Sequence, residues 1–239
     1  MEQIVKVLQA RLRHAKPAVV LLALLVAGCA MYSASTIIDW VDFVRFDGIM
    51  YVRSTQSGRV VEAADLGEPY AQVRSKLDGH VHDSGYRPQD GDAAFLEAGT
   101  TVYAVRGYSP TFRLAAHVDG QLALFESDTN PHAKVGADLL DIGGKVEQIT
   151  VNSEDDATTV LATIAQPAQV SQLVTAVLTA PVDQRRASAD GTRYFIAFHL
   201  HDGTQVVRAY WPGTGELARG ILVAPSFNAV IMQALQAAK

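Results

Sequence analysis

The sequence predicts an α+β protein. A mostly β N-terminal module is followed by an antiparallel sheet with two amphipathic helices on one face, in the order ββαβββα. Three observations predict this. Turn signals at Asp47-Gly48, Asp78-Gly79, Asp90-Gly91 and Asp119-Gly120 punctuate short apolar runs throughout the first half. Two helical stripes occur, both in the second half: Val170, Leu173, Val174, Val177, Leu178, and Phe227, Val230, Ile231, Ala234, Leu235. Each recurs at i, i+3, i+4, i+7 and i+8, so each helix presents one apolar side and needs only one sheet face. Finally, Pro167 and Pro225 stand where these helices begin, a position at which a missing N–H costs nothing.

The elements follow in chain order. Strands are expected over 49–53, 70–77, 101–106, 111–118 and 121–125, within a mostly β module spanning 44–129. From Thr101 to Arg106 the run alternates with period two, and Phe112, Leu114 and Ala116 oppose Arg113 and Ala115. A single helical turn is expected over 92–97, before Gly99. Residues 130–144 read as a linker, with Asn130-Pro131, Gly136 and Gly143-Gly144, docked by Leu139-Leu140. The α+β module spans 145–239, with strands over 146–151 and 158–164 before the first helix, which Pro181 ends. An exposed loop over 183–191 precedes a strand in which Tyr194, Ile196, Phe198 and Leu200 alternate. Asp202-Gly203 turns the chain into a strand over 204–211, Pro212 to Gly215 turns it again, and a third strand is expected over 217–223.

The N-terminus carries an address. Lys6, Arg11, Arg13 and Lys16 make a positive region against Glu2, and residues 18–27 are almost wholly aliphatic. This is the layout of a secretory signal over residues 1–28. Val26-Ala27-Gly28-Cys29 resembles the lipobox of bacterial lipoproteins. The resemblance implies cleavage before Cys29 and a diacylglycerol on its thiol. Two acyl chains suffice for stable membrane anchoring. Residues 29–43 then form a short tether, in which Trp40 and Phe43 are expected to pack on the body. The alternative is an uncleaved membrane helix, lengthened by Met31 and Tyr32.

The second half resembles domains of the YhfM-like type in lipoproteins of Gram-positive bacteria. The likeness rests on a strand pair, a helix ending in Ala180-Pro181, the run from Arg193 to Phe198 and the Asp202-Gly203 hairpin. It implies a surface lipoprotein with an α+β module and transfers no active site.

Composition excludes several classes. Hydrophobic residues make up 49% of the 239, which argues against a disordered body. Loss of residues 1–28 removes four basic side chains and one acidic one, taking the net charge from −5 to −8. A body this acidic argues against nucleic acid as a partner. Cys29 is the only cysteine, so once acylated it leaves no thiol for a disulfide or a nucleophile.

Candidate chemistry is sparse. His80/His82 and His199/His201 are His-x-His pairs, each able on a strand to offer two imidazoles to a metal, but zinc takes three or four ligands. Gly107-Tyr108-Ser109-Pro110 starts like a nucleophile elbow but lacks the last Gly and has Pro where a helix should begin. Gly213-x-Gly215 falls in a hairpin, not a dinucleotide loop. Arg106, Tyr108 and Arg113 cluster at one turn, and Arg208, Tyr210, Trp211 and Arg219 in the last sheet. Arginine beside aromatics makes a recognition patch, and ordinary cross-strand pairing is the plainer account. Asp183, Asp190 and Glu216 are single carboxylates with no evident catalytic partner.

The expected function is a membrane-anchored extracytoplasmic lipoprotein, a non-enzymatic binding or accessory protein of the cell envelope. It sits on the outer leaflet of the cell membrane, or on the outer membrane of a cell with two. Its expected partners are the membrane, through the anchor, and an envelope protein or small ligand. No cofactor is expected beyond the lipid on Cys29. The alternatives are a metal-dependent or other envelope hydrolase built on the histidine pairs, and a structural subunit of a membrane complex.

Overall fold

The computed structural model describes residues 38–185 and 191–238. Residues 1–28, Cys29 and most of the expected tether lie outside the described residues. Asp39–Val81 and Gly85–Lys239 form one compact unit that holds both sheets, and His82–Ser84 fall outside it. The architecture is α+β. Among the described residues no helix is long and apolar enough to cross a membrane.

The first sheet contains β1 (Phe43–Phe46), β2 (Ile49–Arg53), β3 (Leu66–Gln72), β4 (Ser75–Lys76), β5 (Asp92–Ala93), β6 (Thr101–Val105), β7 (Arg113–Val118) and β8 (Gln121–Thr129). Their spatial order is β3-β6-β7-β8-β2-β1-β5-β4, and only β4 and β5 run parallel. Two of the expected Asp-Gly turns fix its register. Asp47-Gly48 joins β1 to β2, Asp119-Gly120 joins β7 to β8, and all four residues have positive φ, which the tight hairpin turn requires. Trp40 packs with Phe43, their ring centroids 6.1 Å apart.

Two expectations for this half need correction. Residues 92–97 hold no helical turn. Asp92–Ala93 is a strand, held extended because the Asp92 carboxylate accepts the Gln89 N–H and the Tyr86 hydroxyl while Ala93 pairs with Val44. The run over 70–77 is two strands. The longer begins at Leu66 and runs through Pro69, tolerated because β3 is an edge strand whose register shifts on either side of that proline.

The second sheet contains β9 (Val146–Asn152), β10 (Val160–Ile164), β11 (Tyr194–Leu200), β12 (Gln205–Trp211), β13 (Glu216–Leu217) and β14 (Ile221–Leu222), in the antiparallel order β10-β9-β11-β12-β13-β14. The expected strand over 217–223 is a small hairpin, because Arg219 and Gly220 have φ of 74° and 78° and turn the chain between β13 and β14. Gly220 also lies against backbone: a Cβ there would come within 2.2 Å of the Asp183 carbonyl oxygen.

Helices α1 (Pro167–Thr179) and α2 (Pro225–Ala237) follow the predicted stripes. Val170, Leu173, Val174 and Val177 of α1, and Phe227 and Ile231 of α2, join one core with Ile149, Val151, Ile196, Phe198, Val206 and Tyr210. Register pairs Val151 with Ile196, and Ile149 and Val206 with Phe198, so both helices cover the same sheet face. Burying a side chain such as Phe227 or Ile231 contributes roughly 1.5–3 kcal/mol. Leu139, Leu140 and Ile142 enter this core, and so does Phe112 from the first half.

Candidate functional site

Glu126 and Asp128 stand two residues apart on β8, and each engages arginine. Glu126 lies directly across the β7–β8 hairpin from Arg113. Arg113 Nη2 donates to Glu126 Oε1 at 2.7 Å, and Arg208 Nη1 donates to Glu126 Oε2 at 3.0 Å. Arg113 is completely buried, an unusual place for a guanidinium. Its Nη1 donates to Thr204 Oγ1 at 2.9 Å, and its Cζ sits 4.3 Å from the Tyr108 ring centroid and 5.1 Å from that of Phe112. Such cation–π contacts are worth most when desolvated.

This cluster fastens the 202–205 hairpin to the first half. Thr204 donates through Oγ1 and N–H to Asp202 Oδ1, and the Tyr108 hydroxyl donates to Asp202 Oδ2 at 2.8 Å. Arg59 Nε donates to the Asp202 carbonyl at 2.6 Å, and the Gln205 N–H donates to the Ser57 carbonyl at 2.9 Å. Burial and then the Asp202 carboxylate push the Tyr108 phenol up to about 12. Burial tends to raise Asp202, but the bonds from Thr204 and Tyr108 win and hold it below the ordinary carboxylate value.

Beyond Asp128 the two sheets leave a cleft of about 790 Å³, within the range of roughly 300–1,000 Å³ typical of small-molecule sites. Its floor comes from the second sheet. Phe195 pairs with Ala209, and Trp211 with Glu216, so these four share the face opposite the helices. Phe195, Val207, Ala209 and Trp211 are each only part-buried, an apolar strip open to the cleft. Arg193 lies with its guanidinium 5.3 Å from the Phe195 ring. Asp128 and Arg219 form an ion pair at the wall, and burial raises Asp128 while Arg219 and Arg208 oppose the rise.

The structure divides the arginine–aromatic residues named from sequence. Arg208, Trp211 and Arg219 line the cleft. Arg106, Tyr108, Arg113 and Tyr210 do not. Arg106 is exposed and donates through Nε to the Leu66 carbonyl. Arg113 and Tyr210 are buried, which corrects the expectation of an exposed patch there. Tyr210 sits under α2, where its hydroxyl donates to Asn228 Oδ1 at 3.1 Å. Both faces of β7 are covered over Arg113–Ala116.

The histidines are dispersed. His80 Nδ1 lies 3.0 Å from the Asp78 carbonyl, and His82 falls outside the compact unit. His199 Nε2 bonds Thr150 Oγ1 at 3.0 Å, and burial lowers its pKa. His201 faces Glu147 at 3.8 Å. Among the described residues no three His, Cys, Asp or Glu side chains form a group able to hold a metal ion.

Sequence reasoning missed Glu126, Asp128, Thr204, Phe195 and Arg193. One signal was present: the Asp119-Gly120 turn places Arg113 opposite Glu126 by counting outward along both strands. Comparison with known protein families, curated proteins and solved structures finds no match.

Proposed function

We propose that this chain is a membrane-anchored, extracytoplasmic binding protein of the cell envelope, held by a lipid on Cys29 and taking a small ligand into the cleft beneath Asp128. The cleft is the observation that carries the binding role. It pairs an accessible apolar floor at Phe195 and Trp211 with guanidinium and carboxylate groups at its walls, the combination that orients small molecules. The address rests on the lipobox-like Val26-Ala27-Gly28-Cys29 and the aliphatic run before it.

One experiment tests both parts. Cells expressing the full chain or Cys29→Ala are fed labelled palmitate, and the detergent-solubilised proteins are examined by native mass spectrometry with an extract of envelope small molecules. Label in the full chain and none in Cys29→Ala supports the anchor, and equal label refutes it. Retention of a small molecule that Trp211→Ala loses supports the cleft as the site, and retention of none refutes the binding role.

A further inference from the structure

Three of the arginines at the cleft walls are matched by carboxylates before any ligand arrives, while Arg193 lies over the Phe195 ring. Arg208 is committed to Glu126 at 3.0 Å, Arg219 to Asp128, and Arg53 to Asp42 at 3.3 Å. At these three arginines an anionic ligand would have to displace a carboxylate and leave it part-buried and uncompensated, which is costly. A cationic ligand meets the converse penalty. Each guanidinium–carboxylate pair still offers N–H donors and carboxylate lone pairs in fixed directions, because neither group exhausts its bonding capacity in one pairing. Such walls suit a ligand rich in groups that both donate and accept: hydroxyls.

The floor adds a second, independent observation. Trp211 is part-buried and lines the cleft, yet its indole makes no ring contact among the described residues. Phe195 lies on the same face, paired with the small Ala209, two residues before Trp211 on β12. An unoccupied aromatic face in a polar cleft suits a ligand with a flat apolar side and a polar rim.

From this we infer that the cleft binds an uncharged saccharide, with one sugar ring stacked on Trp211 and its hydroxyls shared between the Asp128–Arg219 and Glu126–Arg208 pairs. The inference rests on the cleft being a ligand site and names the class of ligand.

The test is isothermal titration of the detergent-solubilised full chain with maltotetraose, cellotetraose and tetra-N-acetylchitotetraose, and in parallel with inorganic phosphate and an acidic tetrapeptide. At least one neutral oligosaccharide is expected to bind. Its affinity should fall about tenfold or more in Trp211→Ala and be largely retained in Trp211→Phe. It should also change little when salt is raised, since no net charge is exchanged. Denaturation midpoints of both variants confirm that they fold. Binding of phosphate or the peptide alone, saccharide binding unchanged in Trp211→Ala, or silence of all three sugars overturns the inference. If native mass spectrometry still finds a cleft ligand lost in Trp211→Ala, the binding role stands and only the ligand class falls. If it finds none, both fall.

Discussion

Glu126 and Asp128 are two positions apart on one strand, and both pair with arginine, yet their surroundings differ sharply. Glu126 meets Arg113 where the side chain of Arg113 is 0% exposed, and the pair is sealed by Tyr108, Phe112 and Thr204. Asp128 meets Arg219 where the arginine is 49% exposed and a cleft opens beside it. The same chemistry therefore serves two purposes. A fully desolvated pair locks the sheets together, since losing either partner strands a charge in a medium that cannot solvate it. A pair with one side in water contributes little to stability and keeps bonding capacity for a ligand.

This contrast is open to direct test. The largest effect is expected from Arg113→Ala, which leaves Glu126 buried with only Arg208 and removes the donor to Thr204. A loss of roughly 3–5 kcal/mol in urea denaturation is expected, and a loss no larger than that of an exposed ion pair would erase the distinction. At the cleft, Asp128→Asn should change stability at neutral pH by no more than about 1 kcal/mol. Its pH dependence has a defined sign. Burial raises the folded-state pKa of Asp128 above 3.8, so the stability it contributes is complete below 3.8 and fades as pH rises through the folded value. Asparagine does not titrate, so the variant should gain on the natural protein over that rise. A relative loss instead would mean that the Arg219 pair outweighs burial.

The smallest effect is expected at Asp156, in the turn between β9 and β10, and it runs the other way. The Thr159 hydroxyl, with the N–H groups of Thr158 and Thr159, holds this carboxyl down to about 2. Its stability contribution is present above 3.8 and lost as pH falls through about 2. The difference between the natural protein and Asp156→Ala, followed by thermal melting, should be flat above pH 4 and close in that acid window. A gap that persists below pH 2 would show that the turn is held by something other than the ionised carboxylate.

Local signals carried much of the fold. The Asp-Gly turns at 47–48 and 119–120 demanded left-handed backbone, and the two stripes after Pro167 and Pro225 had the period of a helix that buries one side. Failures came where a neighbour distant in sequence intervened. β5 was misread because its extended form depends on Asp92 capturing Gln89 and Tyr86 and on Ala93 reaching Val44. The site was legible only in part. Arg208, Trp211 and Arg219 drew notice as arginine beside aromatic, but the carboxylates that match them, 82 and 91 positions away, did not.

By itself, then, the sequence determined the α+β class, the two helices and the tight hairpins, because each is set by interactions within a few residues. It could also have set Arg113 against Glu126, since a two-residue turn fixes the pairing of both strands. Only the tertiary structure decided that Arg113 is buried away from the cleft while Arg219, the partner of Asp128, lines it half-exposed. Burial is a property of what covers a face. Here the cover over Arg113 comes from a hairpin at Thr204, 91 residues away, and it gives way to open space beside Asp128.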